Sequence, residues 1–157
     1  MRPVRRIVCI DDEKGKSKAI HDGPSPDVRT DPARPGFSST LIWATDATPA
    51  RIGGTSEPPC PPQALSPPPG GSLCRIVAFP PDRAFQGAVR VPHAGMQKTR
   101  TLDFCLVLEG EITLVLDTEE VELKAGDTVV QRGTRHAWSN RSDTACVVAI
   151  SSHDATY

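Results

Sequence analysis

The chain has 157 residues, a formal net charge of −1, 16 prolines, 12 glycines and 4% aromatic residues. This length is enough for one domain with a buried core. The near-neutral charge argues against nucleic acid or an anionic membrane as a partner. No apolar stretch approaches the ~20 residues of a membrane span. The basic opening MRPVRR lacks the apolar run of a secretory signal, so we expect a cytoplasmic protein.

The first third of the chain predicts a β extension within residues 1–50, with strands at 5–10, 16–21 and 40–45. The first two strands flank the turn sequence DDEKG and predict a hairpin. Residues 22–37 are rich in Pro, Asp and Gly and predict a loop. Residues 51–72 predict a Pro/Gly-rich surface loop, because proline lacks the N–H group that a central strand needs.

Residues 73–151 contain short apolar runs separated by turn sequences such as EG, DTE, KAGD and NRSD. Their spacing predicts an antiparallel sandwich or barrel with almost no helix. The predicted strands are 73–79, 87–91, 98–108, 111–116, 121–123, 128–131 and 145–151.

The five cysteines are an odd number without a C-x-x-C pair, which predicts free thiols in a reducing compartment. Cys105 and Cys146 lie inside apolar runs, so we expect both in the core. Cys60 lies in the proline-rich stretch, and no neighbouring base or cation would activate it.

Two rows of polar side chains predict a site. Side chains alternate along a strand, so residues two apart share one face. From Gln97 onward, the odd positions begin polar and become apolar, as expected for a strand that runs from a barrel mouth into its core. The shared face carries Gln97, Thr99, Thr101 and Asp103. A second row follows Gly133, which permits a tight turn, and comprises His136, Trp138 and Asn140 if that piece is extended.

These residues resemble the two motifs of the cupin superfamily. The first motif reads H-x-H, three or four residues, E, six residues, G; Asp103 and Gly110 match its E and G. Gln97 and Thr99 stand where its histidines are expected. The second reads G, five residues, P-x-G-x-x-H, three residues, N. In this chain the second motif begins at Gly126, with four residues instead of five before the proline position, which is occupied by Gln131. The remaining motif residues match at Gly133, His136 and Asn140.

The resemblance covers roughly residues 72–150 and implies a double-stranded β-helix, or jelly-roll barrel, within one cupin domain over 1–157. It also implies a homodimer. The stretches TLDFCLVLEGE and GDTVVQRGTRHAW resemble small single-domain cupins often encoded near catabolic or secondary-metabolite enzymes. Such a barrel predicts a small organic metabolite as ligand.

Gln97, Asp103 and His136 are the candidate ligands for a divalent metal such as Fe, Zn, Mn or Ni. A glutamine carbonyl is a weak ligand beside imidazole and carboxylate. His93 could replace it only if the preceding loop folds back, and we expect a loop residue there. Alternatively, Asp103 and His136 pair structurally with each other or with one of three arginines, Arg100, Arg132 or Arg135.

Three functions remain open. The first is an enzyme of lyase, isomerase or cyclase type, with decarboxylation or dehydration as examples. His136 would be its acid or base and Asp103 its partner, because proton transfer needs little more. Gln97, Thr99, Thr101 and Trp138 would line the substrate site, although Trp138 could instead fill the core. The second is a metal-dependent dioxygenase. The third is a metal-free, non-catalytic small-ligand-binding cupin.

Overall fold

The computed structural model describes residues 2–54, 65–85 and 95–157. These residues form eleven β-strands and, as their one helix, a 3-10 turn at Asp82–Ala84. No helix in these ranges is long and apolar enough to cross a bilayer. The strands are β1 (Arg5–Asp11), β2 (Ser17–Pro24), β3 (Val28–Thr30), β4 (Ser38–Thr45), β5 (Ser72–Phe79), β6 (Thr101–Glu109), β7 (Glu111–Leu116), β8 (Glu120–Lys124), β9 (Thr128–Arg132), β10 (His136–Ser139) and β11 (Cys146–Asp154).

Two antiparallel sheets enclose the core. The larger sheet has the strand order β3-β4-β5-β11-β6-β9, and the smaller has the order β10-β7-β8. Strands β1 and β2 pair as a separate hairpin, as predicted. The core joins both sheets through a cluster of buried side chains, namely Val77, Phe79, Cys105, Val107, Ile112, Leu114, Leu123, Trp138, Cys146 and Val148. This confirms the predicted all-β jelly roll and the core positions of the two cysteines.

Strand β6 positions the predicted odd row inside the barrel. Its odd residues from Thr101 to Val107 are buried, and its even residues point outward. The outward row is apolar and only partly covered, since Phe104 is 50% and Leu106 39% exposed. The even face of β6 therefore stays outside the core along the strand.

Several predicted boundaries were wrong. The loop at 22–37 contains β3, which pairs only with the neighbouring strand β4. Three residues are too few to show a side-chain period, so the sequence carried no signal for it. The strand predicted at 98–108 begins at Thr101. The strand predicted at 87–91 and Cys60 lie outside the described residues.

Two glycines shape turns that connect strands of the barrel. Gly110 joins β6 to β7 with φ 77°, and a Cβ there would lie 2.8 Å from the Ala145 carbonyl oxygen. Gly133 has φ 65° and leads from β9 of the large sheet to β10 of the small one. A side chain is disfavoured at both positions because L-residues rarely adopt positive φ.

Asn140 follows β10, and its side chain stabilises the loop that leads from β10 to β11. Its side-chain amide donates to the carbonyls of Phe79 and Thr144, both at 2.8 Å. Its Oδ1 accepts from the Ser142 amide at 3.0 Å and the Ser142 hydroxyl at 2.7 Å. Asn140 is 1% exposed and does not line the cavity described below. The Asn140 amide thus stabilises the loop, although Asn140 belongs to the same sequence motif as His136.

We expect Asn140→Ala to lower the free energy of unfolding by about 2–4 kcal/mol, because buried carbonyls lose their donors. Urea denaturation followed by circular dichroism measures this loss. Ser142→Ala is the control: it removes a half-buried hydroxyl that contacts Asn140 and Thr144 but leaves the Asn140 amide on its two carbonyls, and it should cost about 1 kcal/mol. Equal midpoints for Asn140→Ala and the wild type would show that the loop does not need this amide.

Candidate functional site

A cavity of about 340 Å³ opens against the inner face of the large sheet. This volume suits one small ligand. All six residues predicted for the site line it: Gln97, Thr99, Thr101, Asp103, His136 and Trp138. The structure thus brings the two predicted rows together around one space.

Asp103 lies on β6 of the large sheet, opposite Ser152 of β11 and Gln131 of β9. The residue is 6% exposed, and its Oδ1 is fully buried without a hydrogen-bond partner. Burying a carboxylate oxygen without a donor is costly. A ligand in the cavity that donates to this oxygen would remove the cost.

The alternative of a structural ion pair is not seen for Asp103. Arg100 and Arg132 are exposed, and so is Arg135, whose Nε lies 3.7 Å from Asp117 Oδ1. Within the described ranges, no hydrogen bond or salt bridge joins Asp103 to these arginines or to His136.

His136 begins β10 and is 3% exposed. It forms an isolated antiparallel bridge with Gln97, in which each backbone amide donates to the other residue's carbonyl at 2.9 Å. Its ring Nδ1 lies 2.9 Å from the Thr134 carbonyl oxygen. A carbonyl oxygen only accepts, so Nδ1 carries a proton. In the neutral ring, Nε2 is then the nitrogen available to accept from a ligand.

The remaining predicted residues line the mouth and one wall. Gln97 is exposed, which places its amide at the opening of the cavity. The hydroxyls of Thr99 and Thr101 lie 2.9 Å apart. Trp138 belongs to the core and also lines the cavity, so both of its predicted roles apply. Its ring centroid lies 6.2 Å from that of His136, nearly perpendicular to it.

The donor set does not fit the predicted three-ligand metal site. Asp103 and His136 are strong donors, but Gln97 supplies only an amide carbonyl. Across 2–54, 65–85 and 95–157, no group of three His, Cys, Asp or Glu side chains is placed to hold a metal ion. His93 lies outside the described residues. Asp103 and His136 thus offer the cavity acid–base and hydrogen-bonding chemistry of their own.

Sequence reasoning missed the basic side of the cavity, which includes Arg29, Arg34 and Arg75. A signal existed for Arg75, because it shares the inward face of β5 with Leu73, Val77 and Phe79. A charge in an otherwise apolar inward row is unusual. The other two arginines come from β3 and the turn after it, where the sequence predicted a loop.

Cys105 lies two residues from Asp103 and also lines the cavity. Burial, assisted by the Asp103 charge, raises the pKa of its thiol to about 12. Burial, assisted by Glu111, raises the pKa of the Cys146 thiol to about 11. Because the raised pKa keeps the Cys105 side chain protonated, and a protonated thiol is a poor nucleophile, Cys105 contributes to the cavity wall rather than to a reaction.

Fold and cavity define a small β-barrel protein with a partly polar internal cavity. The chain contains a cupin domain, because the Cupin_2 cupin-domain family matches residues 89–152. The cupin domain of Schizosaccharomyces pombe Cnp3 has a similar fold, with a TM-score of 0.53 over 98% of this chain and 89% of that one. At 10% sequence identity, this similarity concerns the fold alone.

Two fungal relatives are closer in sequence. Phomopsin biosynthesis cluster protein C' of Diaporthe leptostromiformis is 41% identical over 111 residues, covering 67% of this chain and 54% of the relative. Cupin-domain-containing oxidoreductase virC of Hypocrea virens is 32% identical over 111 residues, covering 65% and 50%. The chain spans about half the length of these curated relatives. Its relatives thus include cupin proteins of biosynthesis clusters and cupin-domain oxidoreductases.

We expect Gln97→His to create a metal site, because an imidazole at this bridge position would lie beside His136 and add a third strong donor. Elemental analysis of protein purified without a tag or chelator should find zinc or iron near one ion per chain. Lys98→His is the matched control, since Lys98 does not line the cavity and its Nζ lies over the Tyr157 ring, and it should match the wild type. A metal-free Gln97→His would show that the cavity cannot bring three donors to one point.

We expect iodoacetamide at about pH 8 to label the exposed Cys9 but not Cys105 or Cys146 in the folded protein. At that pH only about one Cys105 side chain in ten thousand is a thiolate, because its pKa is raised. Peptide mass mapping measures the labelling, and denatured protein is the control in which all three react. Fast labelling of Cys105 in the folded state would contradict the assigned burial.

Proposed function

We propose that this cupin binds a small organic metabolite of a biosynthetic pathway and catalyses proton transfer on it, as a lyase, isomerase or cyclase. His136 would act as the acid or base through Nε2. Asp103 would be its partner, and the Gln97 amide at the mouth would polarise a substrate carbonyl. The biosynthesis-cluster relatives support the metabolic setting.

The observation that carries this proposal is the hydrogen bonding of the two buried groups. The Thr134 carbonyl holds Nδ1 of His136, which orients the ring and leaves Nε2 for a ligand. Asp103 Oδ1 is buried without a partner at the same cavity. A neutral imidazole titrates near physiological pH and serves as acid or base without a cofactor. Two polar groups left for a ligand are typical of a binding or catalytic site.

An oxidoreductase is the second candidate, and the name of the relative virC favours it. Such a reaction would need a cofactor or metal that the described donors do not match. A non-catalytic binder would use the same cavity without turnover. Activity measurements on cavity variants separate the three functions.

We expect the purified protein to catalyse deuterium exchange into β-keto acids or α,β-unsaturated carbonyl compounds in D2O, followed by NMR. His136→Gln and Asp103→Asn should each lower the exchange rate about 10²- to 10⁴-fold, the usual contribution of a positioned acid or base. His153→Gln is the control, because His153 packs on Phe104 of the outward row.

Exchange that is equal in the wild type and His136→Gln would contradict the proposed proton transfer. Oxygen uptake with the same compounds after addition of Fe(II) would favour the oxidoreductase. Binding of a compound without exchange or oxygen uptake would favour the non-catalytic binder.

A further inference from the structure

We propose that the cavity binds a hydroxylated aromatic compound, with the ligand ring against aromatic side chains of the wall and the ligand hydroxyl donating to the Asp103 carboxylate. This inference deepens the proposed function, on which it rests for the choice of cavity, by naming the chemical class of the ligand. A series of aromatic rings that begins at His136 and a buried carboxylate at the same cavity carry it.

Aromatic side chains form a continuous series along the cavity. Trp138, Phe79 and Phe37 all line it. The Trp138 ring centroid lies 6.2 Å from that of His136 and 6.1 Å from that of Phe79, and the Phe79 and Phe37 centroids are also 6.1 Å apart. The first and last of these contacts are edge-to-face, an arrangement that aromatic pairs favour. The series therefore joins the His136 imidazole to an aromatic interior.

The chain concentrates its few aromatic residues at this cavity. It contains four Phe, two Trp and one Tyr, all of them within the described ranges. Three of these seven line the cavity, namely Phe37, Phe79 and Trp138. Aromatic side chains attract a further ring through edge and face contacts, in addition to the gain from burying apolar surface. Such a wall favours an aromatic ligand over a saturated one of similar size.

Packing holds the two inner rings in place. Trp138 and Phe79 are 8% and 7% exposed and belong to the core cluster. Phe37 packs against that cluster, with the Arg34 guanidinium 5.0 Å from its ring centroid. A side chain that is ordered before binding loses little conformational entropy when a ligand contacts it. The inner part of the series, at Trp138 and Phe79, is therefore suited to a ligand ring.

The carboxylate of Asp103 supplies an acceptor for the ligand hydroxyl. Asp103 is 6% exposed and lines the same cavity. Within residues 2–54, 65–85 and 95–157, its Oδ1 has no hydrogen-bond partner. An ionised carboxylate only accepts, so the ligand must bring the hydrogen. A phenol can do so near neutral pH, because the phenolic pKa is about 10. Hydrogen bonds to a charged acceptor are also stronger than those between neutral groups.

The arginine wall of the cavity cannot accept this hydrogen. Arg29 of β3 pairs with Ser39 of β4, and Arg75 Nη1 donates to the Ser39 carbonyl at 3.1 Å, so both arginines are neighbours of Ser39. A guanidinium donates and does not accept. An ammonium group could donate to Asp103, but it brings three N–H donors and a charge that is costly to bury. A neutral hydroxyl brings a single hydrogen, which one carboxylate oxygen satisfies.

The experiment compares phenol with three probes: anisole, which lacks the hydroxyl hydrogen, cyclohexanol, which lacks the aromatic ring, and benzylamine, which carries an ammonium group. Heteronuclear NMR titration of the full chain measures each affinity. We expect phenol to bind about tenfold more tightly than anisole, the usual strength of a hydrogen bond to a charged group. It should bind about two- to tenfold more tightly than cyclohexanol, the usual gain from aromatic contacts.

The same spectra locate the bound ring through the two tryptophans of the chain. The indole N–H signal of Trp138 should shift when phenol binds. The signal of Trp43 is the internal control and should not shift, because Trp43 lies on β4 and does not line this cavity.

Two variants separate the two contacts. Phe79→Leu keeps an apolar side chain in the core and should lower the preference for phenol over cyclohexanol while leaving the preference over anisole. Asp103→Asn keeps the shape but removes the charge, so it should lower the preference over anisole about threefold or more while leaving the ring preference. Phe104→Leu and Glu109→Gln are the matched controls, because both residues are exposed on β6 and do not line the cavity.

Thermal unfolding of each variant separates a lost contact from a lost fold. Phe37→Leu, at a half-buried position, tests the ring preference if Phe79→Leu does not fold. We expect it to lower the preference for phenol over cyclohexanol to a smaller extent.

Anisole that binds the wild type as tightly as phenol would overturn the hydroxyl contact, and cyclohexanol that binds as tightly would overturn the aromatic class. Benzylamine that binds more tightly than phenol would also overturn the proposal, since the preferred donor would then be a cation. A shift of the Trp43 signal instead of the Trp138 signal would place the ring outside this cavity and contradict the assigned site.

His136→Gln distinguishes this result from a failure of the proposed function, since it should keep both binding preferences while losing deuterium exchange. The two phenol preferences without exchange in the wild type would support the ligand class and count against proton transfer alone. Exchange without these preferences would count against the ligand class alone.

Discussion

The backbone bridge between Gln97 and His136 is the contact on which the site depends. Gln97 stands just before β6 of the large sheet, and His136 begins β10 of the small one. Their two reciprocal hydrogen bonds, each 2.9 Å long, join the two sheets at the mouth of the barrel. Directly paired residues share a face, so this bridge sets the amide beside the imidazole. It thereby places the start of the row that leads to Asp103 next to His136.

Buried polar groups in this barrel differ in how far the protein itself satisfies their hydrogen bonds. Asn140 uses its amide fully on the loop between β10 and β11. His136 uses one ring nitrogen on the Thr134 carbonyl. Asp103 has a buried oxygen without a donor. An unsatisfied buried oxygen costs stability, and a group that donated to it would remove that cost.

The cavity has polar chemistry of opposite sign on its two sides. Arg75 lies on β5 and Asp103 on β6, with β11 between them. A barrel that replaces a histidine with Gln97 at the first motif has a weaker set of metal donors, but it keeps an imidazole, a carboxylate and a guanidinium around one space.

The amino-acid sequence by itself determined the all-β class, the cupin barrel, the inward row of β6 and the six cavity residues that it named. Alternation and turn chemistry are local properties, and the motif spacing relates His136 to Asp103 through a known fold. Only the tertiary structure decided that Gln97 and His136 are paired, that Asn140 is a loop contact and that Arg29 and Arg75 share a wall with Ser39. Those relations depend on register between strands distant in sequence, which no local pattern encodes.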